Sequence, residues 1–209
     1  VEAYETEKEQ LEAFKGWWKE NGSSVITGLL LGVAVIFGTR AWFSYQDRQQ
    51  EAASHLYVQF MNGLERNDAE TISQAGDALV SDYSRSPYAA LAALGMARQQ
   101  LEQGELEAAR AQLQWVLERS KTEAIRHSAR LRLVRLLVAM QDFSAAQALL
   151  AQASASGAYA PLYAELRGDL ALAQGDRAAA RAAYEAALAL LSEDAPTRPL
   201  LRIKRDDVL

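Results

Sequence analysis

The chain has no cysteine. That excludes a disulfide scaffold, a thiol nucleophile and a thiolate metal site, and it leaves the redox state of the compartment open. Histidine is scarce too: His55 and His127 are the only two, and neither stands in a metal-binding spacing such as H-E-x-x-H. Both read as ordinary helix residues. No G-x-x-x-x-G-K loop and no G-x-S-x-G elbow occurs, so the backbone cradle for phosphates and the strained nucleophile turn are both missing. The acidic pairs Asp68 with Glu70 and Asp206 with Asp207 fall at turn and tail positions, where solvated carboxylates are the ordinary finding. No catalytic, cofactor-binding or metal-ligating residue emerges, and enzyme activity is not expected.

An excess of one charge sign is also lacking. The formal net charge is -5, and Lys and Arg alternate with Asp and Glu along most of the chain. No basic face is available to a nucleic acid, which is not an expected partner. Proline occurs at only four positions, Pro87, Pro161, Pro196 and Pro199, all where helices should start or stop. Beyond Tyr45 the sequence is rich in Ala, Leu, Gln, Glu and Arg and poor in β-branched residues until its last few positions. The expected fold class is therefore all-α.

What is present first is a long run without charge. Residues 21–39 contain no Asp, Glu, Lys or Arg, and the core from Val25 to Gly38 is almost wholly apolar. As a helix rising about 1.5 Å per residue it would cross a hydrocarbon layer roughly 30 Å thick. Trp17 and Trp18 precede the run, and Trp42, Phe43 and Tyr45 follow it, in the manner of interfacial aromatic belts. A cleaved signal peptide needs a short basic lead and a small-x-small exit. Here the lead is long and acidic, and Arg40, Trp42 and Phe43 occupy the exit, so an uncleaved transmembrane helix over residues 21–44 is expected.

Lys8, Lys15 and Lys19 before the span against Arg40 and Arg48 after it place the N-terminus inside by a narrow margin. Gly28 and Gly32 form a G-x-x-x-G spacing at which another membrane helix could pack closely, although glycine is common in membrane helices in any case. Residues 1–20 make a short N-terminal segment with Leu11, Phe14 and Trp18 at helical spacing. It is either a surface-lying amphipathic helix or an extension of the membrane helix.

Residues 45–194 repeat. The segment from Gly104 to Leu117 aligns without gaps with that from Gly175 to Leu188, and Gln141 through Ala153 fits the same template at offsets of 37 and 34 residues. Those periods are those of a tetratricopeptide-like helix-turn-helix unit. Ala109, Ala146 and Ala180 take the small position of the second helix. Leu113, Leu150 and Tyr184 take the large one four residues on, on the same face. In the first helix the small position falls to Ala97, Val134 and Gly168. Units are expected at about residues 90–126, 127–160 and 161–194, with a weaker one before them whose turn is Asn67-Asp68 and whose first helix follows directly from the span. Residues 195–209 are read as a C-terminal tail. A non-repeating bundle of Ala-rich helices is the alternative, within the same fold class.

Stacked units leave a groove lined by their first helices. The inward positions on this register are Leu94, Arg98, Leu101 and Glu102, then Leu131, Arg135 and Val138, then Glu165, Asp169 and Leu172. Such a mixture suits an amphipathic or extended polypeptide segment; inter-repeat packing and solvated edge is the competing account of the same residues.

Several strings recur in a known order: Tyr4-Glu5, Glu20-Asn21-Gly22, Leu31-Gly32-Val33, Arg40 with Trp42, Tyr88-Ala89-Ala90-Leu91-Ala92, Leu166-Arg167-Gly168-Asp169 through Gly175-Asp176, and the ending Ile203-Lys204-Arg205-Asp206-Asp207-Val208-Leu209. Through them the chain resembles, over essentially its whole length, the YfgM family of ancillary SecYEG translocon subunits. It implies an inner-membrane protein with a cytoplasmic N-terminus and periplasmic repeats. It also implies association with the SecYEG translocon and with PpiD, a membrane-anchored periplasmic chaperone, to help pass emerging client chains onward. The family carries no catalytic residues to transfer. A membrane-anchored repeat scaffold or regulator in another envelope complex shares the architecture and remains the alternative.

Overall fold

The charge-free run and its flanks form one helix. In the computed structural model, which describes residues 2–153 and 157–208 and the side chains from residue 11 onward, α1 (Glu2–Arg66) is unbroken. The residues before the span thus belong to the same helix as the span itself. Val1, Leu209 at the end of the tail motif, and the side chains of Tyr4 and Glu5 lie outside the described residues. The other helices are α2 (Ala69–Asp82), α3 (Pro87–Glu102), α4 (Leu106–Arg119), α5 (Glu123–Ala139), α6 (Phe143–Ala151), α7 (Ala160–Ala173), α8 (Arg177–Leu190) and α9 (Arg198–Asp206). Among the described residues there is no strand.

The chain divides into two units, residues 1–52 and 53–209. In the first, α1 is long and apolar enough to cross a membrane. Leu29, Leu30, Leu31, Val35, Ile36 and Phe37 are all more than half exposed, an arrangement stable in lipid and costly in water. Phe14, Trp17 and Trp18 gather at ring separations of 6.2 to 6.4 Å just before this stretch. Gly28 and Gly32 form an open notch, since a methyl group added at either would meet nothing within 4 Å.

The second unit is built from helix pairs: the end of α1 with α2, where Gly63 lies against Thr71 and Ile72, then α3 with α4, α5 with α6, and α7 with α8. Each pair is joined by the same turn. Asn67, Gly104, Gln141 and Gly175 all have positive φ, between 53° and 83°. The amide of the next residue in each case donates back five residues, Asp68 to Gly63, Glu105 to Gln100, Asp142 to Leu137 and Asp176 to Ala171, at 2.8 to 2.9 Å. This is a Schellman closure, and the residue that makes it caps the next helix. Asp68, Asp142 and Asp176 accept first-turn amides through their carboxylates; Glu105 makes no side-chain cap. The weak first unit of the sequence therefore has the same turn as the rest.

Only Gly occupies the left-handed region without steric cost, and another residue there costs roughly 1 kcal/mol. Gln141→Gly is accordingly expected to stabilise the protein by about 1 kcal/mol, read as a higher urea midpoint for the full chain. An unchanged or lower midpoint would show that the turn is not strained.

The units start where local chemistry puts them. Ser86 caps α3 with Pro87 in its first turn, and α5 begins at Glu123, so both first helices begin ahead of the expected 90 and 127. The core runs from Phe60 and Ile72 through Leu79, Ala93, Leu113, Val116, Leu133, Val134 and Leu137 to Tyr163 and Leu166, all at most 1% exposed. Its many alanines let the helices approach closely. His127 adds a polar tie between successive first helices: its Nδ1 lies 2.6 Å from the Tyr163 hydroxyl, and its ring stacks on Tyr159.

Residues 195–208 are not a free tail. Leu201 and Val208 are buried in a cluster with Ala180, Tyr184, Ala187 and Leu188, covering the apolar side that the last pair would otherwise expose. Arg198 donates to the carbonyls of Leu188, Leu191 and Ser192 at 2.8 to 3.3 Å, satisfying the end of α8.

Candidate binding surface

The ten expected groove residues separate into three groups. Leu94 and Leu131 are buried in the core at 8% and 7% exposure, so these two line the interior and not an open groove, while Val138 is half-buried and packs against that core. The reason is the width of the apolar stripe: α3 and α5 each pack against helices on more than one side, which draws into the core a leucine that a single-faced helix would present outward.

A second group stays open. Arg98, Leu101 and Glu102 on α3, Arg135 on α5 and Leu172 on α7 are exposed. Arg98 and Glu102 pair at 2.9 Å along their own helix, a contact worth a few tenths of a kcal/mol that a partner displaces easily.

The third group is already occupied. Lys204 of α9 places its ammonium 2.6 Å from Glu165 Oε1 and 2.8 and 3.0 Å from the two carboxylate oxygens of Asp169. The Tyr184 hydroxyl donates to Asp169 at 2.8 Å, and the ammonium lies 5.9 Å from the centre of the Tyr184 ring. Burial, that hydrogen bond and the two carboxylate charges push the Tyr184 phenol well above its ordinary value. In the last unit the chain's own C-terminal helix therefore occupies the expected groove positions Glu165 and Asp169, while Leu172 stays open. Lys204 escaped sequence reasoning because it lies 35 and 39 residues from its partners, outside any helical or repeat register.

The comparisons with known proteins fit this architecture. The family described as a tetratricopeptide repeat-like domain matches residues 15–209. The ancillary SecYEG translocon subunit of Escherichia coli (strain K12) is 34% identical over 186 residues, covering 89% of each chain. The protein of the same name from Haemophilus influenzae is 31% identical over 88% of this chain and 90% of its own. The chain belongs to this family, the ancillary SecYEG translocon subunits (YfgM). A further YfgM-family relative, from Neisseria gonorrhoeae, is 29% identical over 99% of both chains, so α1 and α9 lie within the shared length. No solved structure matches the chain.

Proposed function

We propose that this protein is a non-enzymatic accessory subunit of the SecYEG translocon. On this reading α1 holds it in the bacterial inner membrane with its N-terminus cytoplasmic, and the repeats stand in the periplasm. There they bind a PpiD-like membrane-anchored chaperone or emerging client chains and aid transfer from translocon to chaperone. The observation that carries the proposal is the near full-length similarity to proteins named as translocon subunits, taken with an apolar helix able to anchor the repeats. The open face of α3 and α5, with Arg98, Leu101 and Arg135, offers a mixed apolar and polar surface for a polypeptide. Gly28 and Gly32 offer the span a close helix contact.

The test is recovery of the tagged chain from membranes solubilised in mild detergent at native expression. The channel subunits of the translocon are expected to copurify, and photoreactive residues at Arg98 and Arg135 are expected to crosslink to a chaperone or a client. Recovery of envelope proteins with no secretion component would instead favour a scaffold of another complex. Crosslinks confined to other faces would remove α3 and α5 as the binding surface.

A further inference from the structure

A second surface lies at the loops that join successive helix pairs. The loop between α2 and α3 and the loop between α4 and α5 border a cleft of about 190 Å³. Both loops carry a cation between hydroxyls, Ser84-Arg85-Ser86 in one and Ser120-Lys121-Thr122 in the other, and Arg119 from the end of α4 joins them. The lining holds three cations and no carboxylate, in a chain whose net charge is -5. Among the described residues, Arg85, Arg119 and Lys121 make no salt bridge. Glu123, the next acid along the chain, faces Arg126 and His127 instead, at 3.8 Å from each.

The hydroxyls also remain able to donate. Ser86 Oγ accepts the Tyr88 amide, and Ser120 Oγ accepts the Thr122 amide, which leaves each O–H free to point into the cleft. Thr122 caps α5 without a side-chain bond to it. The apolar part of the lining is Pro87, Ala90 and Trp115, of which Trp115 is the largest and packs in part against the core. A bare phosphate would use the cations and leave Trp115 uncovered, whereas a carboxylate with an apolar side chain beside it uses both.

We propose that this cleft binds an acidic polypeptide segment, a carboxylate flanked by an apolar side chain, held by Arg85, Arg119 and Lys121 over Trp115. The cleft is a local reversal of sign on an acidic protein, so it selects among partners by charge as well as by shape. Its volume admits a side chain or two and no more, which makes it an anchor point within a longer contact.

This inference rests on the reading of the repeats as a polypeptide-binding module, and its test is separate from translocon recovery. The full chain is reconstituted in phosphatidylcholine nanodiscs and titrated into a fluorescein-labelled ten-residue peptide with a Leu-Asp-Glu-Leu core, followed by anisotropy. Saturable binding is expected, weaker by about ten-fold or more for the Leu-Asn-Gln-Leu counterpart and as salt is raised. Arg119→Gln combined with Lys121→Gln is expected to weaken the acidic peptide by a similar factor, while Arg202→Gln on α9 leaves it unchanged.

Equal affinity for the two peptides, no saturable binding, or indifference to the double substitution would overturn the proposal. So would displacement of the peptide by inorganic phosphate or phosphatidylglycerol vesicles at concentrations below those at which the peptide itself binds. If the peptide result fails while the translocon channel still copurifies, the cleft is lost and the accessory-subunit reading stands. The reverse outcome removes that reading and leaves the cleft.

Discussion

Gly168→Val is expected to destabilise the repeat domain by about 3 kcal/mol, at the upper end of the overpacking range. A single Cβ at Gly168 would already lie deep inside contact distance of the Tyr184 ring, and that ring is 1% exposed and tethered to Asp169 through its hydroxyl. It has nowhere to go. Relief of glycine's helix penalty returns at most about 1 kcal/mol, and less for a β-branched residue, so the clash decides the sign.

The other units show how the effect should be reversed. Sixteen residues separate Gly168 from Tyr184, and the same spacing pairs Ala97 with Leu113 and Val134 with Leu150, all of them buried. Where the second helix carries the largest side chain, the first carries none. Gly168→Ala together with Tyr184→Leu reproduces the first unit's pair and is expected to cost less than the sum of the two single changes. Thermal or urea unfolding of the full chain in detergent, followed by circular dichroism, measures both. A Gly168→Val protein as stable as the parent would show that the Tyr184 ring is not fixed by its surroundings.

Lys204→Met should have the next largest effect, about 1–3 kcal/mol. The substitution keeps the stem's packing and removes the charge, leaving Glu165 and Asp169 side by side with side-chain exposures of only 15% and 26%. Deleting one partner from a fully buried set costs about 3–5 kcal/mol, and partial access to water brings this one below that range. Loosened α9 is also expected to expose residues 193–208 to limited proteolysis, since Leu201 and Val208 hold it only at two points in its small core.

The same site sets the response to alkali. Desolvation pulls the Lys204 ammonium down, but hydrogen bonds to Asp169 and Glu165, with their charges, outweigh it and hold its pKa above the ordinary lysine value. The Tyr184 phenol is raised as well. Both groups bind their protons more tightly folded than unfolded, so their contribution is fully present below pH of about 10, near the unfolded values. It is lost as pH rises from there through the folded values. The parent is therefore expected to lose stability steeply above pH of about 10, and Lys204→Met more gently because the lysine part is gone. Parallel alkaline limbs for the two proteins would rule out Lys204 as a contributor.

Much of this architecture was legible in sequence because it depends on local, periodic chemistry. The charge-free run between aromatic belts marks α1 whatever surrounds it, since the demand for about 20 apolar residues comes from the bilayer. The repeat is legible because Ala109, Ala146 and Ala180, with Leu113, Leu150 and Tyr184, answer the same packing problem in each unit. Turn positions 67, 104, 141 and 175 follow from it, and even Gln141, a poor left-handed residue, is held to the pattern by its neighbours.

The exposure of the expected groove residues was only partly legible. Which side of α3 or α5 faces outward depends on how many neighbours each helix has, and Leu94 and Leu131 went to the core on that account. Lys204 closing over Glu165 and Asp169, and Arg85 of one loop meeting Arg119 and Lys121 of another around one cleft, join residues that share no register along the chain.

By itself, then, the sequence determined the helical class, the membrane span, the repeat with its turns, and the family, since each follows from residue order at short range or at a fixed period. Tertiary structure alone decided that the C-terminal residues cap the domain instead of trailing from it, and that Glu165 and Asp169 are paired with the protein's own Lys204. Those outcomes turn on apolar surface and charge brought together from distant positions, where burial sets the energy and chain spacing carries no information.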